Sequence, residues 1–476
     1  MTNFNEWRSR LDTINQGHVL TGWASLSPER QKALLDQLAG IDLEELPTLV
    51  KAYVLSKPAA ALPPDLRPAR YYPYDASGAL RPWDRAVYKH AGEDLIRRGK
   101  VAAFVVAGGQ GSRLGYEGPK GCYPAGAVTD APLFEIFAQG ILATRRKYST
   151  SVPWYIMTSP LNHAQTVAFF EANGFFGLPR GDVMFLPQGV MPSLDIATGR
   201  MLMAAPGEIA TNPDGHGGCV RALDRSGALR DMEKRGIEQL SYFQVDNPLV
   251  RVIDPVFIGL HAAAPDSSGE MSSKMLAKAG PDEKVGVFCE AGGKTRVIEY
   301  SDMPATIVNA KRNDGSLLYN AGSIAIHVIS VEFLGRLARD PRFELPWHRA
   351  EKKVACVDPA TGKPLNPTGN NAVKLERFVF DALELCRASI VLETDRVEEF
   401  APIKNATGVD SAQSCREIQT QRAARWLAAA GVEIPRTPDG KPDCVLEIRP
   451  GTALCAQDLQ SDEIPRRIER GEKRVF

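Results

Sequence analysis

From residue 101 onward, short apolar runs alternate with stretches of helical period. "VAAFVVA" is unbroken, of strand length and followed by glycines, the pattern of a strand buried on both faces. A helix is predicted near 133–147, a strand in "PWYIMTS", a helix near 161–173 and a strand in "DVMFLPQG". "GCVRALDRSGALRDMEKRG" predicts a further helix and "IEQLSYFQVDN" a further strand. Such alternation predicts an α/β fold, a doubly wound mixed sheet with its chemistry at the carboxyl ends of strands. Between residues 271 and 327 the helical period fades, and "EKVGVFCEAGG", "KTRVIEY" and "SLLYNAGSIAIHVI" predict strands that extend the same sheet.

The flanks read differently. In "SPERQKALLDQLAGI", Ser27 is a helix N-cap, Pro28 suits the first helical position, and Ala33, Leu34 and Leu38 mark an apolar face. "ALPPDLRPARYYPYDASG" is a proline-rich connector, and "RPWDRAVYKHAGEDLIRRGK" predicts another helix. Late in the chain, "QTQRAARWLAAAG" predicts a helix and "CVLEIRP" a short strand. The charged end, "EIPRRIERGEKRVF", is expected to fray. At 476 residues the chain is too long for a single core. Three consecutive parts are expected: an N-terminal helical region (1–98), a main α/β domain (99–398) and a small C-terminal α+β domain (399–476).

Composition narrows the partners. Lys plus Arg and Asp plus Glu each total 57, so bulk charge points to neither nucleic acid nor an acidic membrane, and any anion site must be local. The 8 cysteines form no CxxC pair, which suits a reducing compartment rather than a zinc ribbon or disulfide framework. No run approaches the ~18 apolar residues of a membrane span, and the N-terminus has no apolar leader core. A soluble, cytoplasmic protein is the expectation.

Candidate chemistry begins in "AGGQGSRLGYEGPKG". No register supplies GxxxxGK[ST], and Leu114 stands where a dinucleotide fingerprint needs its third small residue. That residue speaks against a nicotinamide-dependent oxidoreductase. What remains is a loop whose main-chain N–H groups can curl around phosphate oxygens, with Arg113 adding a planar fork of donors and Lys120 a point charge. The alternative is a surface turn with two solvated cations. Elsewhere, Asp246 closes the strand "YFQVDN", where it can bind Mg²⁺ or merely cap a turn; Asp254 reads as the N-cap of a helix starting at Pro255. Gln188 follows a strand and carries an amide able to match an imide edge, or is an ordinary loop glutamine. Gly215, Gly217 and Gly218 let a ligand approach the backbone near a helix start. His216 has no histidine partner at a metal-binding spacing, and His327 reads as a core histidine. Glu299 and Asn320 have groups suited to sugar hydroxyls, and Lys404 lies on a late loop where lysines are usually solvated.

"VVAGGQGSRLGYEGPKG" resembles the nucleotide-binding loop of the UDP-sugar pyrophosphorylase family, most closely its UDP-N-acetylhexosamine members. "PWYIMTS", "FLPQGVMPSL", "PDGHGGCVRAL", "QVDNPLVRVIDPVFIG", "VIEYSDM", "YNAGSIAIH", "KLERFVFDAL" and "FAPIKNATG" follow in the family's order, over residues 101–408. The resemblance implies a Rossmann-like, GT-A-like nucleotidyltransferase core in 99–398. The activity it implies is uridylyl transfer from UTP to a hexose 1-phosphate, giving a UDP-sugar and pyrophosphate. It implies catalytic roles for Arg113, Lys120 and Lys404, nucleotide contacts at Ala107, Gly108, Gly109, Gln188 and Gly215, and Mg²⁺ on Asp246. His216, Gly286, Glu299 and Asn320 fall to the sugar. The sugar implied is N-acetylglucosamine 1-phosphate. His216, Ser323 and Ile326 depart from the acetylated-sugar pattern ("GNGG", "NAGNIANH"), leaving glucose 1-phosphate, or a broader range of sugars, as the alternative. A non-catalytic sugar-nucleotide sensor is the rival of another class; retention of both Lys120 and Asp246 argues against it.

Overall fold

The computed structural model describes residues 4–57, 62–78, 81–340, 342–459 and 464–476. The chain forms two compact units. The smaller takes Met1–Leu62, Gln188–Arg221 and Glu344–Val379; the larger takes Pro63–Pro187, Ala222–Phe343 and Phe380–Phe476. Segments far apart in sequence interleave, so the unit borders differ from a consecutive division near residues 98 and 398.

In the larger unit, α1 (Arg85–Arg97) starts where the Asp84 carboxylate accepts the Ala86 and Val87 N–H groups, satisfying donors that a first turn leaves open. It leads into β1 (Val101–Val106), then α2 (Leu133–Tyr148), β2 (Trp154–Thr158), α3 (His163–Ala172), β3 (Val183–Pro187) and β4 (Gln239–Gln244). These strands lie in the order β3-β2-β1-β4, all parallel. Every residue of β2 is buried, as are Val101–Val105 of β1; the apolar runs reflect burial on both faces. Next come α4 (Pro255–Ala263), β5 (Met271–Ala277), β6 (Val287–Ala291), β7 (Lys294–Ile298) and β8 (Ala321–Ser330). Strand β8 runs antiparallel to β4, β5 and β6, and β6 and β7 form a hairpin. The result is a mixed 10-stranded sheet, as the strands after residue 271 led one to expect. Helices α1 and α4 cross so closely that a Cβ on Gly92 would fall 1.8 Å from the Pro255 carbonyl oxygen, and one on Gly259 1.8 Å from that of Tyr88.

Three local expectations are corrected. The stretch expected as one helix is two, Cys219–Arg225 and Ala228–Arg235, because Gly227 has φ +79° between them. The charged end does not fray over its described residues: Lys473–Val475 pairs in parallel with Val445–Glu447, and Ile468 is buried. This pairing packs against α5 (Ala412–Ala429), whose first turn Ser411 and Ser414 close with a reciprocal capping box. In the smaller unit, helix Pro28–Ala39 begins at the Ser27 cap, but only Leu34 and Leu38 of the expected face are buried; Ala33 is exposed. Those leucines join Trp7, Leu11, Met203, Val373 and Leu375 in that unit's own core.

Candidate active site

Strands β1 and β4 are adjacent, parallel and in register to their last residues, so the segments after Val106 and Gln244 leave the sheet along one edge. The glycine loop after β1 does not run into a helix. It makes two short 3₁₀ turns, Ser112–Leu114 and Lys120–Cys122, pinned by Gly111 N–H to Gly118 O (2.9 Å) and Lys120 N–H to Gly109 O (3.1 Å). Ala107 and Gly108 are buried, Gly109 opens to solvent, and Arg113 is exposed. Gly121 allows the Phe134 ring of α2 to press on the second turn; a Cβ there would meet that ring at 2.1 Å. The turn therefore fixes the root of the Lys120 side chain.

From that root, Lys120 Nζ reaches Asp246 Oδ2 at 3.7 Å, both side chains mostly buried. A third charge joins them through the main chain. The Asp246 carbonyl accepts the Ile403 N–H (2.8 Å), and Asn247 donates to Glu399 O (2.7 Å) while accepting from Ala401 N–H (3.1 Å). These bonds seat Lys404, which lines a small cavity with Asp246, Asn247, Ser323 and Ile326. Lys120, Asp246 and Lys404, far apart in sequence, thus meet at the ends of β1 and β4. In β8, Ala325 holds φ +55° beside this cavity, a conformation that L residues adopt reluctantly and that clusters at functional sites.

The residues expected at a sugar are placed nearby in part. Gly286 O accepts the Ser323 N–H (2.7 Å), and a Cβ on Gly286 would lie 3.2 Å from Glu299 Oε1. The glycine therefore makes room for that carboxylate. Asn320 Oδ1 accepts from Arg312 Nη2 (3.3 Å), and its main-chain oxygen from the Lys278 N–H (2.9 Å).

Gln188, Gly215 and His216 belong to the smaller unit. Gln188 is buried, with Nε2 donating to Asp214 Oδ1 (3.1 Å) and Gly215 O (3.3 Å). The glycines there answer first to protein packing. A Cβ on Gly215, at φ +88°, would fall 2.3 Å from Arg377 O; one on Gly218 would fall 2.3 Å from Asp214 Oδ1. The imidazole of His216 stacks on Phe378 (5.0 Å), and Nδ1 accepts the Val379 N–H (3.1 Å). Burial, with His348 adding repulsion, pulls its pKa down to about 3. His216 is thus neutral near pH 7. Since Nδ1 accepts, the proton is on Nε2, a donor suited to a hydroxyl oxygen. His327 is a core histidine as expected, buried with Nδ1 2.9 Å from Ser273 Oγ.

Three further residues were not anticipated. Asn162 precedes α3 and is fully buried; its Nδ2 donates to Ala107 O (2.9 Å) and Gly109 O (3.2 Å), holding the glycine loop from behind. Asp410 receives the Lys404 N–H on its main-chain oxygen (2.6 Å). Burial raises its carboxyl above the ordinary value, with Lys404 opposing and Asp246 reinforcing the shift. Asp214 holds the Gln188 amide, and burial raises its carboxyl too. The one legible signal was an asparagine at a helix start, where it reads as a cap.

Residues 83–419 match the family UTP–glucose-1-phosphate uridylyltransferase. The chain belongs to that family. Among similar proteins, the human UDP-N-acetylhexosamine pyrophosphorylase-like protein 1 is 35% identical, over 97% of this chain and 95% of its own. The Saccharomyces cerevisiae UDP-N-acetylglucosamine pyrophosphorylase is 33% identical over 87% of this chain and 89% of its own. A crystal structure of the Trypanosoma brucei uridine diphosphate N-acetylglucosamine pyrophosphorylase, with inhibitor, superposes with TM-score 0.82 at 26% identity, covering 100% of this chain and 98% of that one. Membership of this family makes the glycine loop and the Lys120–Asp246 pair parts of a nucleotidyltransferase, not of a dinucleotide oxidoreductase. Among the described residues no helix is long and apolar enough to cross a membrane.

Proposed function

We propose that this protein joins UTP to N-acetylglucosamine 1-phosphate, releasing pyrophosphate and UDP-N-acetylglucosamine. The observation that carries the reading is the meeting of Lys120, Asp246 and Lys404 where β1 and β4 end; the relatives' names supply the sugar. The parallel order β3-β2-β1-β4 supports a Rossmann-like core with its ligand at the carboxyl edge.

The sugar phosphate oxygen attacks the α-phosphorus of UTP, and the bond from that phosphorus to the oxygen bridging the α- and β-phosphates breaks. The attacker is already an anion, so no general base is required. What the protein must supply is in-line placement and neutralisation of charge. Main-chain N–H groups of the loop at Gly108 and Gly109, with Arg113 and Lys120, hold the departing β- and γ-phosphates, while the Ala107 N–H is spent on Met157 O (2.7 Å) and Ala107 serves as the root of the loop. Lys404 offsets charge at the α-phosphoryl oxygens. The role implied for Gln188, reading the imide edge of uracil, falls to its amide oxygen, because Nε2 already donates to Asp214 and Gly215. Glu299, with Gly286, and Asn320 are assigned to hexose hydroxyls, as is His216 through its Nε2–H.

Magnesium fits Asp246. Asp246 would hold the ion through its carboxylate, a hard oxygen donor of the kind Mg²⁺ takes, with phosphate and water oxygens as the further donors. When bound, it supplies charge neutralisation on phosphate oxygens.

Glucose 1-phosphate remains the second reading, because Ser323 and Ile326, the departures in "YNAGSIAIH", both line the cavity beside Asp246. Pyrophosphate release, measured with UTP and each of N-acetylglucosamine, N-acetylgalactosamine, glucose and galactose 1-phosphates, decides. The expected result is kcat/KM highest for N-acetylglucosamine 1-phosphate by about tenfold or more, the scale on which one or two polar interactions with a substrate discriminate. A preference for glucose 1-phosphate would transfer the assignment to the second reading.

A further inference from the structure

The larger unit also holds a cavity apart from the small one beside Asp246. Its volume is about 920 Å³, within the ~300–1,000 Å³ of small-molecule sites. Its apolar wall includes Ile136 and Phe137 of α2, Val252 and Leu454. Arg251 and Arg422 also line it. Arg251 gives Nη2 to Glu398 (3.2 Å), while its Nε is closed off from solvent with no hydrogen-bond partner among the described residues. Arg422 bonds only the main-chain oxygens of Leu249 (3.2 Å) and Glu398 (3.4 Å), without a carboxylate partner among the described residues. Burial pulls the Arg422 pKa down to about 10, with Glu398 opposing and Arg251 reinforcing; the cation is held where it lacks compensation. The carboxylates that also line the cavity all have partners: Asp75 accepts from Ser77, Asp254 is paired with Lys274 (2.6 Å), and Glu398 with Arg251, Arg425 and Trp426 Nε1 (2.9 Å). A cavity with an apolar wall, a guanidinium at Arg422 that has no carboxylate partner among the described residues and a second at Arg251 whose Nε makes no hydrogen bond matches an amphipathic organic anion.

Its position adds a consequence. Pro248, Val250 and Arg251 line this cavity, while Asp246, Asn247 and Val250 line the small one. A single turn, 246–251, thus walls both, and Val250 faces each. We propose that the large cavity is an effector site for an organic anion, its acidic group on Arg251 and Arg422 and its apolar body against α2, and that occupancy changes turnover by shifting the turn that carries Asp246. The second half rests on the proposed uridylyl transfer; the first does not.

The probe is 1-anilinonaphthalene-8-sulfonate, a sulfonate on an aromatic body whose fluorescence rises in apolar surroundings. With the full chain and saturating UTP, one saturable site is expected. Arg422→Gln is expected to weaken it at least tenfold. Gly140→Met is a second variant independent of charge. A Cβ on Gly140 meets only Val252 Cγ2 and Pro450 Cβ, at 3.7 and 3.8 Å, so the longer side chain projects into the cavity and is expected to abolish binding while α2 gains a better helix former. Circular dichroism confirms that each variant is folded. Pyrophosphate release is expected to change at least twofold at saturating probe in the native chain and not in Gly140→Met. The proposal is overturned if UTP displaces the probe, if neither folded variant weakens it, or if turnover is indifferent to it. A chain that turns over no sugar phosphate while still binding the probe at this site would instead defeat the proposed reaction, leaving the anion site in place.

Discussion

Lys120→Ala and Asp246→Ala are each expected to cut turnover about a hundredfold or more, the scale of one lost electrostatic stabiliser. The two side chains form an ion pair at 3.7 Å, so a purely structural role must be separated from a chemical one. As a structural bridge, the pair would act through its mutual attraction alone, and exchanging its ends would restore it. The exchange variant carrying both Lys120→Asp and Asp246→Lys keeps opposite charges facing each other. It also sets a carboxylate on the glycine loop, where the β- and γ-phosphates need a cation. Turnover in the exchange variant is expected to stay at or below that of the single variants, while the melting temperature returns to the native value. Initial-rate pyrophosphate release and thermal melts measure both. Activity recovered by the exchange would reduce the pair to a brace.

Lys274→Met is expected to destabilise the larger unit by about 3–5 kcal/mol, the usual result of removing one member of a buried ionic group. Against a total stability of about 5–15 kcal/mol, that loss decides whether the protein stays folded at 37 °C. Lys274 is only 1% exposed, and its Nζ lies 2.6 Å from Asp254 Oδ2 and 2.6 and 2.7 Å from the Glu399 oxygens. Without the ammonium, two buried carboxylates face each other uncompensated. Glu399 is also the residue whose main-chain oxygen holds Asn247 and whose carboxylate takes the Arg251 N–H (3.2 Å), so the damage reaches the turn that bears Asp246. The sign of the pH dependence follows. Burial pushes the Asp254 carboxyl up, but Lys274 and then Arg251 outweigh it and hold the pKa near 2, below the ordinary 3.8. Its contribution to stability is therefore complete above about pH 4 and lost as pH falls toward 2. In urea unfolding, native stability is expected to fall between those values. Lys274→Met should be weakened most at neutral pH, with its deficit shrinking as acid neutralises the stranded carboxylates. Equal stability of the two chains at pH 7 would remove the network from the account.

The strands and helices of the larger unit were legible because burial on two faces writes itself as unbroken apolar runs, and because a cap such as Asp254, like Ser27 in the smaller unit, acts over two or three residues. What escaped acts over distance. Lys473–Val475 finds its partner at Val445–Glu447, a separation in sequence that local patterning cannot bridge. The interleaving of 188–221 with 344–379 likewise depends on long-range pairing. In the site, Lys120, Asp246 and Lys404 stood out as charges after apolar runs, whereas Asn162, Asp410 and Asp214 act through main-chain and side-chain bonds that exist only once the loops are placed. "MSSKML" did carry a hint, a lysine in a strand that otherwise has no charged residue, but its two carboxylate partners lie at residues 254 and 399. The glycines at 215, 217 and 218 were read as room for a ligand; the groups that approach them in the structure are the Arg377 main chain and the Asp214 side chain.

A crystal structure of the protein with UTP and magnesium tests the central claim most directly. The triphosphate is expected along the main-chain N–H groups of the loop at Gly108 and Gly109, its terminal phosphates within hydrogen-bonding distance of Lys120 Nζ and the metal on an Asp246 oxygen. A triphosphate bound away from that loop, with Lys120 still paired to Asp246, would contradict it.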